Sequence, residues 1–166
     1  MAETLITPEF RGSYVTLVEP RPPAEGQKPV YSIVIVIPKS ETAFLEKMEM
    51  AIEEVAKAKF GKIPPKLKST LRDGDDEDKE EFKDCVIFNA KSATRPGVVD
   101  SDLQPIIDPE ELYSGAYYRA SINPFAWDHP TGGKGVSFGL NNVMKVRDGE
   151  PFSGRKAADE DFKAFA

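Results

Sequence analysis

Five stretches of the chain carry the apolar pattern of β-strands. They span residues 10–20, 30–38, 86–96, 114–127 and 135–148. Four of them alternate apolar with polar residues, which predicts one buried and one exposed face. The stretch 30–38, VYSIVIVIP, is apolar almost throughout and predicts a central strand that is buried on both faces.

One segment, residues 40–61, has a helical period instead. Ser40 is a candidate N-cap, and Gly61 follows the last turn, where glycine commonly ends a helix. The residues on its apolar face are Phe44, Met48, Ala51, Ile52 and Val55. The pattern predicts a single amphipathic helix between the second and third strands.

The rest of the chain has no clear period. Residues 62–84 form a long polar segment that becomes strongly acidic, and the residues after 151 show no core-facing pattern. Strands with an apolar inner face and a polar outer face are what a small closed barrel requires. We therefore predict a mainly β fold: an OB-type five-stranded barrel with one inserted α-helix, a long acidic loop and a mobile acidic C-terminal tail. The barrel domain spans residues 1–152 and the flexible acidic-aromatic tail spans residues 153–166.

The stretch 114–127 has an unusual polar face. As a strand it places ordinary core residues on one side, namely Tyr118, Ala120 and Ile122. The opposite side carries Tyr117, Arg119, Ser121, Asn123, Phe125 and Trp127. Nucleobases stack on aromatic rings while basic side chains neutralise phosphates, so this face suits single-stranded nucleic acid. Alternatively, Phe125 and Trp127 form a secondary core under a loop, with Pro124 interrupting the alternation.

Basic residues on the neighbouring strands extend this candidate site. They are Lys91 and Arg95 in the third strand and Lys145 and Arg147 in the fifth, with Lys134 in a turn at 130–135 and Tyr14 as a further aromatic platform in the first strand. The net charge of −6 does not exclude a polyanionic partner, because residues 73–84 alone supply −6. The segment 62–72 just before them carries four basic residues and no acidic one.

Composition argues against several chemistries. Cys85 and His129 are each the only residue of their type, so an internal disulfide is impossible and zinc or Cys–His catalysis is disfavoured. The acidic run imitates a calcium loop, but Asp78 stands where that loop needs glycine. We predict no metal, no cofactor, no secretion signal and no membrane segment, and a single cysteine suits a reducing cytoplasm.

Three longer blocks resemble a known family. Residues 88–100, 111–127 and 134–152 are similar to successive signature blocks of bacteriophage single-stranded DNA-binding proteins with an OB fold, formerly filed as a domain of unknown function. The resemblance covers about Leu5 to Phe152. It implies sequence-tolerant binding of single-stranded DNA without catalysis, in phage replication or recombination, in the cytoplasm of the infected bacterial host.

The family also implies a role for the acidic tail, which recruits phage or host replication proteins. The residues that would form this partner-binding tail are Asp159, Glu160, Asp161, Phe162 and Phe165. The chain departs from the common pattern of a terminal aromatic residue, since Ala166 follows Phe165. The oligomeric state is left open.

Two other functions stay open on the residues alone. The first is a metal-dependent nuclease that uses the acidic run 73–84. The second is a structural or adaptor protein whose aromatic face binds a polypeptide.

Overall fold

The computed structural model describes residues 4–22, 25–69, 71–130 and 133–152. The predicted tail 153–166 therefore lies outside the described residues, as does part of the predicted turn at 130–135. Across the described ranges, no helix combines the length and the apolar character that crossing a membrane requires.

The described residues form nine strands and one α-helix. The strands are β1 (Leu5–Ile6), β2 (Phe10–Arg21), β3 (Val30–Pro38), β4 (Lys68–Ser69), β5 (Arg72–Asp73), β6 (Cys85–Ser92), β7 (Gly97–Val99), β8 (Tyr117–His129) and β9 (Gly133–Arg147). The five long strands match the five predicted ones. The four short strands, of two or three residues each, have too few positions to show a period in the sequence.

The five long strands close into a ring. β2 pairs with β3, β3 with β6, β6 with β9, β9 with β8, and β8 again with β2. All of these pairings are antiparallel except β6 with β9, which is parallel. This closed mixed ring confirms the predicted OB-type barrel, and closure leaves its long strands with few exposed edges.

The helix α1 spans Thr42–Phe60 and joins β3 to β6, as predicted. Its N-cap is Glu41, which makes no side-chain capping hydrogen bond, so the prediction of Ser40 as cap is wrong. Gly61 does end the helix: it adopts a left-handed conformation (φ 79°) and donates its N–H to the Lys57 carbonyl. The buried face consists of Phe44, Met48, Ile52 and Ala56, which pack on the barrel core.

The central strand β3 is buried on both faces, as predicted. Ile33, Ile35 and Ile37 point into the barrel and are fully buried. On the outer face Val34 and Val36 form a second cluster with Ile87 of β6 and Phe82. Phe82 belongs to a short 3-10 turn in the acidic loop, so that loop is packed against the outside of the barrel.

Two irregularities in β9 change which residues face outward. The pairing of β8 with β9 skips Asn141 and then Val146, and each one-residue bulge reverses the alternation of side chains. Val143 is therefore buried, and Met144 is turned outward opposite Arg119. Uninterrupted alternation over 135–148 predicts Met144 on the same inner face as Leu140, and that prediction is wrong because alternation within one strand cannot anticipate a bulge.

Candidate nucleic-acid interface

The outer face of β8 alternates as the sequence predicts. Tyr118, Ala120 and Ile122 are buried in the barrel, while the side chains between them are exposed or half-buried. Pro124 is also buried, so it preserves the alternation instead of breaking it. The six residues from Tyr117 to Trp127 on this outer face therefore lie in one line, about 33 Å long for an extended strand.

At one end of this line Phe125 and Trp127 lie next to small residues of β9. Phe125 is 49% exposed and lies opposite Ser137. Trp127 lies opposite Gly135, and a Cβ placed on Gly135 would come within 2.3 Å of the indole ring. The indole therefore lies against the glycine backbone, and its Nε1 donates a 2.9 Å hydrogen bond to Ser137 Oγ. We call Phe125, Trp127, Gly135 and Ser137 the aromatic end.

A row of small and polar residues crosses the barrel beside the aromatic end. Strand register places Asn123 opposite Gly139, Gly139 beside Lys91, Lys91 opposite Ser32, and Ser32 opposite Thr16. These residues share the outer face because paired positions in a sheet point to the same side. Lys91 is exposed at the centre of this row, which puts a cation one strand away from Gly139.

Two further basic residues lie next to this surface and were not singled out from the sequence. Lys68 of β4 is exposed and lies beside Gly135, on the side of β9 away from Trp127. Arg72 of β5 donates a 3.2 Å hydrogen bond to Asn89 on the outer face of β6. Both come from the basic segment 62–72, whose charge was the only signal available, because neither two-residue strand has a readable period.

Tyr14 lies at an irregularity of β2, where its φ of 47° is left-handed and the register with β3 shifts. The side chain is 58% exposed, and Lys79 of the acidic loop lies 4.4 Å from the ring centroid. Lys79 also donates a hydrogen bond to the Tyr14 hydroxyl. Tyr14 is therefore on the outer surface as predicted, next to the acidic loop.

The other end of the β8 line has a different character. The Arg147 guanidinium carbon lies 3.8 Å from the Tyr117 ring centroid, and that of Arg11 lies 5.4 Å from it. Arg147 also forms a 2.7 Å ion pair with Glu9, which raises the pKa of the guanidinium. Arg11 is held by the Gly115 carbonyl at 3.1 Å. We call Tyr117, Arg147, Arg11 and Glu9 the arginine end.

Three predicted basic residues take positions that the sequence did not show. Lys145 lies opposite buried Tyr118, with its side chain only 12% exposed and its Nζ 2.6 Å from Asp148, so its assignment to the outer face is wrong. The bulge at Asn141 causes this reversal. Lys134 lies opposite Asp128, on the face away from Trp127, with its Nζ 5.1 Å from the Phe60 ring of α1.

Arg95 follows the end of β6, which stops at Ser92 instead of residue 96. The Thr94 N–H donates to Ser92 Oγ and starts a turn there. Arg95 is therefore not part of the strand, and the alternation of β6 does not assign its side chain to the outer face. The side chain is exposed to solvent. Arg119 remains on the outer face of β8 and is exposed, and it reaches the Thr7 carbonyl at 3.5 Å.

The acidic loop is organised by a lysine. The ammonium of Lys39 lies 2.9 Å from Asp73 and 2.7 Å from Asp75, and it holds the pKa of both carboxyls below the ordinary value. The Asp84 N–H also donates to Asp75 at 2.9 Å, and is the larger cause of the lowered pKa there. Within the described ranges, no group of three or more Asp, Glu, His or Cys residues is arranged to hold a metal ion. Asp73 and Asp75, the first two carboxylates of this run, are thus engaged by the Lys39 ammonium and, for Asp75, by a backbone amide as well.

Comparison with known proteins supplies the family. A family profile described as "Enterobacter phage Enc34, ssDNA-binding protein" matches residues 3–166, nearly the whole chain. The chain belongs to this family. It is also 31% identical over 135 residues to protein p50 of Acyrthosiphon pisum secondary endosymbiont phage 1, covering 75% of this chain and 72% of that protein. The family is described by single-stranded DNA binding, a non-enzymatic function, which argues against the nuclease alternative.

Solved structures agree with the fold. The single-stranded DNA-binding protein of bacteriophage Enc34, solved in complex with single-stranded DNA, has a TM-score of 0.80 and 28% identity, and covers 90% of this chain and 89% of that chain. The protein gp2.5 of bacteriophage T7, described as single-stranded DNA-binding, has a TM-score of 0.68 at 14% identity, over 100% of this chain and 96% of that chain. The latter supports the barrel alone.

Proposed function

We propose that this protein binds single-stranded DNA through the aromatic end and the adjacent polar row. The observation that carries the proposal is Phe125, half exposed beside a Trp127 that lies against a glycine. Aromatic platforms of this kind stack bases of any sequence, because every base has a π-face. The small residues of β9 beside them leave room for the strand to lie close to the sheet.

Charge completes the proposed site. Lys91 of β6 and Lys68 of β4 lie on strands that pair with β9. Arg72 of β5 lies one strand further away, beside Asn89 of β6, and its guanidinium is 3.2 Å from Glu77. Contacts of these cations with phosphates release condensed counterions, which makes binding weaken as salt rises. In this proposal Tyr117 packs against the protein's own side chains and does not stack on a base, because two guanidinium groups already lie over its ring.

A fluorescence titration with oligo(dT) tests this function. Trp127 is the only tryptophan, so its emission reports on the aromatic end directly. We expect saturable quenching that weakens as salt rises, with duplex DNA of equal length binding less well. Binding of oligo(dT) that leaves the emission unchanged would remove Trp127 from the site. Absence of binding at low salt would refute the function and favour a polypeptide partner for the same face.

We further propose a role in phage DNA replication or recombination, in the cytoplasm of the infected bacterium. In this role the protein covers single-stranded intermediates, and the acidic-aromatic tail recruits phage or host replication proteins. The support is the sequence of the tail, where Asp159 to Asp161 adjoin Phe162. A chain truncated after Phe152 should keep its affinity for oligo(dT) but lose binding to phage replication proteins in pull-down. Equal capture by both chains would contradict the recruiting role.

A further inference from the structure

A small opening lies on the outer face of β8, between the aromatic and arginine ends. It is a cavity of about 210 Å³ whose walls include Ile6, Val99, Met144 and Arg119. Ile6 is 63% exposed although it is a large apolar residue. We call this cavity the Met144 groove.

The groove exists because short strands flank the β8–β9 pair at this point. On one edge β1 pairs with β8, and Ile6 lies opposite Ser121. On the other edge β7 pairs with β9, and Val99 lies beside Met144. The bulge at Asn141 turns Met144 outward, opposite Arg119, so it becomes part of the floor. Two added strands and one bulge thus make an apolar groove between the aromatic end and the arginine end of this face.

We infer that the Met144 groove binds a nucleobase of the same DNA strand that stacks on the aromatic end. This inference rests on the proposed function. The groove lies in line with Phe125 on one strand face: its lining residues Ser121 and Arg119 are four and six residues away, or about 13 and 20 Å for an extended strand. Its volume is below the roughly 300 Å³ at which pockets for drug-sized ligands begin, which suits a single planar base.

The polar groups at the groove also fit a nucleotide. Arg119 is exposed at the rim, where a guanidinium can pair with a phosphate or stack on a base. Asn142 lines the groove as well, and its exposed amide offers a donor and an acceptor to the edge of a base. A phenylalanine from a polypeptide would use the apolar walls but not this amide.

The test is the dependence of affinity on oligonucleotide length. An oligo(dT) too short to extend from the aromatic end to the groove, about 13–20 Å along β8, occupies only one of the two, whereas a longer one occupies both. We would compare the full-length protein with an Ile6→Ala, Met144→Ala double variant, using oligo(dT) from a dinucleotide, which cannot reach the groove from the aromatic end, up to about 16 nucleotides, the upper end of OB-fold site sizes. The matched control is Met50→Ala with Ile107→Ala, which trims two exposed apolar side chains outside the groove.

We expect the groove variant to bind the shortest oligonucleotides normally and the longest ones at least about fivefold more weakly, the lower end of the effect of losing one stacked base. The control should bind all lengths like the parent protein. Equal affinity of the groove variant at every length would overturn the inference, as would a loss of equal size at every length. Failure of the parent protein to bind any length would instead refute the proposed function.

A synthetic peptide of residues 153–166 tests the alternative that the groove binds the protein's own acidic-aromatic tail. If the groove takes the acidic-aromatic tail instead, the peptide will bind the parent protein and not the groove variant, while long oligonucleotides bind both equally. That pair of results would overturn the assignment to a base. Peptide binding that is the same for both proteins, together with length-dependent loss of DNA affinity, supports it.

Discussion

The two ends of the outer face of β8 both carry aromatic rings, but the residues around those rings differ. Each presents aromatic side chains of β8, namely Phe125 and Trp127 at one end and Tyr117 at the other. At the aromatic end, Phe125 is 49% exposed, and the residues opposite Phe125 and Trp127 are serine and glycine. At the arginine end, the Tyr117 ring has the Arg147 guanidinium 3.8 Å from its centroid, and Glu9 pairs with that arginine.

This difference shows that the residues across the sheet decide what an aromatic ring on a strand can do. Small neighbours leave the ring surface open to a ligand, whereas long cationic neighbours cover it and make it part of the protein's own packing. Periodicity within one strand cannot distinguish the two cases. The following predictions test the distinction, starting with the largest effect.

Tyr117→Ala should lower the free energy of unfolding by about 2 kcal/mol, because a half-buried ring and its contacts with two guanidinium groups are lost. Affinity for oligo(dT) per folded molecule should change little. Chemical denaturation and a DNA titration measure the two quantities. Tyr117→Phe, which keeps the ring, is the control and should stay near the parent stability. A large loss of affinity with unchanged stability would erase the difference between the two ends.

Phe125→Ala should have the opposite effect. We expect a loss of about 1–3 kcal/mol in the binding of oligo(dT), the range for one stacking platform. The melting temperature should stay close to that of the parent protein, since the side chain is exposed. Phe125→Tyr should retain most of the affinity because it keeps a planar ring. If Phe125→Ala instead unfolds the protein, the ring belongs to a secondary core.

Gly135→Ala should displace the indole of Trp127, since a Cβ there would lie 2.3 Å from the ring. The emission of the free protein should change, and affinity for oligo(dT) should fall by about 1 kcal/mol. In a Trp127→Ala background the same substitution should cost no further affinity, which a double-mutant cycle measures. Gly139→Ala is the control for this emission change and should leave the fluorescence of the free protein unaltered, because the atom nearest to its Cβ would be the Asn123 carbonyl oxygen at 3.7 Å. Full additivity of the two substitutions would refute the coupling.

Lys91→Ala should reduce by about one the slope of the logarithm of the binding constant against the logarithm of salt concentration, as expected for one phosphate contact. Arg147→Ala should leave that slope nearly unchanged, because Glu9 already pairs with the guanidinium. Binding isotherms at several salt concentrations measure both slopes. The reverse order would place the DNA at the arginine end.

The smallest expected effect concerns pH. Hydrogen bonds from Lys145 and Tyr113 hold the pKa of Asp148 below its ordinary 3.8. A depressed folded pKa stabilises the protein above the ordinary value, and that contribution is lost as pH falls through the lower folded value. Unfolding should therefore show no Asp148 contribution to its pH dependence between pH 5 and 7, and a small loss of stability below about 4. Asp148→Asn should remove this loss, and an unaltered acid profile would contradict the assignment.

Much of the architecture was readable from the pattern of residues. The five long strands, the helix and its end at Gly61, and the alternation along β8 follow from local periodicity and from the backbone freedom of glycine. Long elements repeat the same pattern many times, so they stand out from chance. The outer-face line from Tyr117 to Trp127 was predicted in this way. The two-faced character of the strands also predicted that they form a small closed barrel.

The tertiary structure decided which of these outer residues stay open. The bulge at Asn141 moved Lys145 inward and Met144 outward, and the register of β8 with β9 placed Gly135 under Trp127 and Arg147 over Tyr117. Lys68 and Arg72 joined the surface through two-residue strands that have no period of their own. The sequence by itself determines the faces of each long strand because side-chain direction is local. Which residues meet across the sheet depends on register and bulges, which are fixed only when the whole barrel closes.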